Sequence, residues 1–169
     1  MIQLTNDGAM AKLSGMGMDD MPILGYTPRP AQIGPDWFSR YKKLCREFMM
    51  SLTDSVEELA MMNLTQDEFM ALITGRALAP NLSFRFRIPL VLGGTVDIDN
   101  MFMCRTFPYS HLLDRFIIDQ YGNDQIWLPN PARKIYVPIH GTGGGDGGNA
   151  TSDRLSQIAA QIVAARDMD

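Results

Sequence analysis

The sequence predicts an α+β domain in which a small antiparallel hairpin is set among helices, and three features carry that expectation. Leu82 to Leu90 alternates large apolar with charged side chains, as a half-buried strand does, and beyond Gly93-Gly94 the run Met101 to Arg105 supplies a returning strand. Trp37, Tyr41, Leu44, Phe48 and Leu52 recur at helical spacing before the hairpin. Leu112, Leu113, Phe116 and Ile117 do so after it. With 169 residues, 46% of them hydrophobic, the chain can bury a core of its own.

Residues 1–34 are expected to form an extended arm. They hold Gly8, Gly15, Gly17, Gly25 and Gly34, three prolines, and methionines at 10, 16, 18 and 21 that follow neither a helical nor an alternating period. Flexible thioether side chains suit an arm that lies on an irregular apolar partner. Residues 35–140 make the α+β domain. Its first helix starts at Pro35, whose fixed φ fits a first turn, and its outer side carries Arg40, Lys42, Lys43 and Arg46, read as a solvated face.

Asp54 with Glu57, and Thr65 with Glu68, have the spacing of reciprocal helix caps, so short helices are expected near 55–62 and 66–75, the second ended by Gly75. In the first strand Phe84, Phe86 and Ile88 take one side and Arg85 and Arg87 the other. Pro108 to Gln120 reads as a helix, and Ile135 to Ile139 as a third strand beyond the proline-broken Leu128-Pro129-Asn130-Pro131. Residues 141–150 form a glycine-rich linker. Residues 151–169 hold a C-terminal amphipathic helix striped by Leu155, Ile158, Ala159, Ile162 and Val163.

Charge and composition narrow the function classes. A net charge of −4 and a pI near 5.1 disfavour broad, salt-driven adhesion to DNA. No apolar run reaches the ~18 to 20 residues needed to cross a bilayer, and Met1 to Ser14 lacks the layout of a signal peptide. The expected location is therefore the cytoplasm, or an assembly built there. Cys45 and Cys104 lack any paired spacing and read as two buried thiols. The glycine run is followed by no lysine and fits neither nucleotide-binding fingerprint, so it reads as a connector.

One segment carries chemistry. Phe84-Arg85-Phe86-Arg87-Ile88-Pro89-Leu90, then Gly93-Gly94, then Asp97-Ile98-Asp99-Asn100-Met101, then a helix with His111, resembles the ββα core of HNH endonucleases of the colicin and bacterial-toxin type, over about residues 82–120. The resemblance implies a hairpin packed on a helix around a divalent metal, with one histidine as general base. It also implies that the reaction is lost. The family's first histidine falls on Arg85 and its second on Phe86, and neither a guanidinium nor a phenyl ring offers a lone pair for a metal or a proton. His111 matches a helix ligand about two residues late, Arg115 stands one turn further on, and Asn100 matches the asparagine that braces the loop.

These matches predict a non-catalytic, HNH-like scaffold that needs no cofactor. It is expected to bind other proteins through its arm and its C-terminal helix, as a structural part of a multi-subunit assembly such as a phage particle. The alternative is a metal-dependent DNase whose ligands are redrawn from His111, His140, Asp97, Asp99, Asp114, Asp119 and Asp146. Another is a nucleic-acid binder that grips phosphates with Arg85, Arg87, Arg105 and Arg115 without cleaving.

Overall fold

The computed structural model of the chain describes residues 3–138. The glycine-rich linker and C-terminal helix expected from the sequence lie outside these residues. The described chain runs α1 (Asn6–Gly15), β1 (Ile23–Tyr26), α2 (Trp37–Ser51), α3 (Val56–Ala60), α4 (Gln66–Ile73), β2 (Leu82–Phe86), β3 (Met101–Arg105), α5 (His111–Ile118) and β4 (Ile126–Pro129). The mixed α+β class expected from the sequence is present. Its strands form two separate antiparallel pairs, β1 with β4 and β2 with β3.

The β2–β3 hairpin is a wall with a core on each side, because side chains on neighbouring strand positions point to opposite faces. In its register Leu82 faces Arg105, Phe84 faces Met103 and Phe86 faces Met101. The apolar members of these pairs join Leu44, Phe48, Leu52, Leu59, Phe69, Leu72 and Ile73 from the helices before them. The opposite face offers Phe102 and Cys104 to a second core with Leu113, Phe116, Ile117, Ile126 and Leu128. The alternation in the sequence is thus real, but both faces are covered.

The segment expected as an extended arm is built into this second core. Thr5 caps α1 by accepting the Gly8 amide at 3.0 Å, and Ala9, Leu13, Met18 and Met21 are all buried. Trp127 Nε1 donates to the Leu4 carbonyl at 2.9 Å, Lys12 pairs with Asp119 at 3.2 Å, and the Tyr136 hydroxyl donates to Asp20 at 2.8 Å. The arm reading failed because α1 buries only Ala9 and Leu13, a stripe too narrow to show a period among two glycines and exposed polar residues.

Other boundaries move for local reasons. The expected strand over 82–90 ends at Phe86, and Ile88 joins the core opposite to that of Phe84 and Phe86. The expected cap at Asp54 is not formed: Ser55 precedes α3 and makes no side-chain cap, whereas the Thr65–Glu68 box is complete at 3.0 and 3.1 Å. Pro108 lies in a wide turn over Thr106–Ser110, so α5 begins at His111. Among the described residues of the strand expected at 135–139, which end at 138, Ile135 alone bridges, parallel to Met103, through Lys134 O and the Tyr136 amide at 2.8 Å each.

Candidate functional site

Asn100 ties the loop between β2 and β3 together at two points, and the Tyr26 hydroxyl holds it from outside through the Leu92 carbonyl at 2.7 Å. Asn100, 9% exposed, accepts the Ile88 amide at 2.9 Å and donates to the carbonyls of Ile88 and Thr95 at 2.9 Å each. Its backbone carbonyl takes the Arg87 amide at 2.7 Å. Short polar side chains that meet all their bonds inside a turn fix its shape more firmly than apolar contacts do. Asn100 therefore braces the loop from within.

The two glycines of this loop answer different demands. Gly93 has φ +100, a left-handed conformation that side chains resist. A Cβ on Gly94 would stand 1.8 Å from the Ile88 carbonyl oxygen, so two backbone segments touch there and no side chain fits.

At the place the resemblance gives to the first metal-binding histidine, Arg85 turns toward α5. Its side chain is 10% exposed, and Nη1 donates to the Ser110 carbonyl at 3.0 Å, the Ser110 hydroxyl at 2.9 Å and Asp114 Oδ1 at 2.7 Å. The register puts it opposite Phe102 and beside Cys104, on the face that α5 covers. A cation this deep needs acceptors, and Ser110 just before α5 and Asp114 in its first turn supply them.

The remaining family positions do not converge on Arg85. Phe86 packs its ring on Tyr41 at 5.8 Å and belongs to the first core. His111 and Arg115 are exposed on α5, while Asp114 of the same helix is the residue that meets Arg85. The sequence matches named His111 and Arg115 on this helix, whereas the side chain that meets Arg85 is Asp114. Asp114 was legible only as one of several spare carboxylates, since nothing in its neighbours marks the ion pair.

The arginines proposed for phosphate contact are mostly spent on the protein itself. Arg87 donates to Asn130 Oδ1 at 3.3 Å, to the Arg133 carbonyl at 3.1 Å and to the Pro131 carbonyl, and stacks over Phe102 at 5.6 Å. Burial pushes its pKa down, with Asp99 nearby opposing that shift. Arg105 donates to the Met62 carbonyl at 3.0 Å. Of the arginines named for this role, Arg115 alone is exposed.

Carboxylates named for a redrawn metal site are dispersed. Asp97 caps the turn before β3 by accepting the Asp99 amide at 3.4 Å, Asp119 pairs with Lys12, and Asp114 with Arg85. Among the described residues, no group of three His, Cys, Asp or Glu side chains is arranged to hold a metal ion. His140 and Asp146 lie outside the described residues. Cys45 is half-buried and Cys104 buried, both as free thiols, and burial pushes Cys104 up from its ordinary 9.0 to about 12.

Beside the ion pair, a cleft of about 320 Å³ opens along β2. Phe84, Arg85 and Phe86 all line it, with Leu90 and Val91 from the loop and Ile117, Ile118 and Tyr121 from α5 and its end. Consecutive strand residues point to opposite faces, so a cavity lined by three in a row runs along the strand's edge. His111 and Arg115 are not part of its wall.

No family model, curated protein or solved structure matches the chain. No helix of the described residues is long and apolar enough to cross a membrane.

Proposed function

We propose that the chain is a non-catalytic protein-binding scaffold of HNH-like design, a structural component of a larger assembly, in which an ion pair stands where a nuclease would hold its metal. One observation carries this reading: the Arg85 guanidinium, nine-tenths buried, is bonded to Ser110 and Asp114 at 2.7 to 3.0 Å. A protonated guanidinium repels a divalent cation and cannot ligate one. The ordered hairpin, the Asn100 brace and the glycine pair support a retained scaffold, since each stabilises the loop and none requires a metal.

This reading needs no reaction from His111. In a plasmid-nicking assay with Mg²⁺, Mn²⁺, Ni²⁺ or Zn²⁺, the full chain is expected to leave supercoiled DNA intact. Cleavage that disappears in His111→Ala would restore the nuclease reading.

A further inference from the structure

Among the described residues, the ladder between β2 and β3 leaves one side of β2 without a strand. The Arg87 amide bonds to the Asn100 carbonyl and the Thr106 amide to the Asn81 carbonyl, which sets the phase of the antiparallel pairing. In that phase residues 81, 83, 85 and 87 turn their backbone groups toward β3, and Phe84 and Phe86 turn theirs away. The outer edge of β3 is occupied, because Met103 bonds to Lys134 and Tyr136. The edge of β2 faces the cleft instead, and Phe84 and Phe86 line it.

Two further features show what fits there. Val91 is 63% exposed, Ile118 56% and Tyr121 42%, and all three line the cleft, so apolar surface flanks the open edge. The charge at the rim is acidic: the Asp114 side chain is 56% exposed while its partner Arg85 is 10% exposed beneath it.

We infer that the edge of β2 receives an extended peptide from another protein, which adds to the hairpin as a strand, places alternate apolar side chains between Val91 and Ile118, and sets a basic residue against Asp114. Such strand addition takes its affinity from main-chain bonds and its selectivity from every second side chain. It deepens the scaffold reading and rests on it, since the cleft then serves a peptide rather than a phosphate.

The probe is a synthetic Lys-Thr-Val-Thr-Val-Thr peptide with blocked ends, whose Lys and Val side chains share one face of the strand, titrated into the full chain. Binding is expected to slow amide exchange at Phe84 and Phe86. Methylating the peptide nitrogens that pair with β2 is expected to weaken binding about tenfold or more, and methylating the alternate ones to matter little. Ile118→Lys, at an exposed position, is expected to abolish binding without moving the thermal midpoint. Absence of binding, or equal effects of both methylation patterns, overturns the inference. So does an edge already covered: a dimer of the chain that Ile118→Lys dissociates, or Phe84 and Phe86 amides that become exchangeable only when residues 139–169 are removed. None of these outcomes bears on DNA cleavage, so the scaffold reading stands or falls separately by the nicking assay.

Discussion

Arg85 in β2 and Asn100 at the end of the loop that follows it bear different loads. Removing Arg85 as Arg85→Met leaves the Ser110 carbonyl and hydroxyl without their donor, which is expected to cost about 1–3 kcal/mol in chemical denaturation. Asp114→Asn keeps an acceptor on a half-exposed side chain and is expected to cost less than about 1 kcal/mol. Asn100→Ala removes the side-chain bonds to Ile88 and Thr95 together, and about 2–4 kcal/mol is expected from the same measurement. Equal and negligible effects for Arg85→Met and Asn100→Ala would contradict the picture of a braced, ion-paired loop.

The buried thiol gives a pH test at the same scale. Burial, the largest influence, raises Cys104 from 9.0 to about 12, while Arg85 pulls down and Asp114 pushes up more weakly. Folded protein thus holds this proton after the unfolded chain has released it. Stability is fully present below about pH 9 and declines as pH rises toward 12. Tyr41 adds to the loss from pH 10 to about 12, again chiefly through burial. Cys104→Ala is expected to flatten the slope of stability against pH in that window, and an unchanged slope would remove Cys104 as its source.

Among the elements, the strongly patterned ones were legible in the sequence. The α2 stripe buries Leu44 and Phe48, with Leu52 just beyond, because a broad apolar face over several turns has few alternatives to burial. The Thr65–Glu68 cap was readable for a similar reason: its chemistry is local. Asn100 was assigned its bracing role by resemblance, and its bonds fit that role. What could not be read depends on distant partners. α1 is held by Asp119 and by Leu113, Phe116 and Leu128 of the second core, and the chain just before it by Trp127 through Leu4, all of them distant in sequence, and Arg85 looks solvent-facing until α5 is laid over it. The placement of α1 predicts that Leu13→Ala costs about 2–5 kcal/mol, as for any fully buried leucine. A free arm would tolerate it, so a thermal melt identical to wild type would return residues 1–34 to that role.

For the whole molecule, the β2–β3 hairpin is the wall that the two cores share. Both faces of β2 and β3 are packed, so the two cores hold the hairpin from either side. An ion pair at this depth contributes little net stability, yet it fixes which residues of α5 meet the hairpin. The most direct test of an ion pair in place of a metal is the thermal midpoint of the full chain titrated with Zn²⁺ or Ni²⁺. Because a ligand that binds the folded state must raise its stability, a midpoint that stays constant is the predicted result. A saturable rise that is lost in His111→Ala would contradict it.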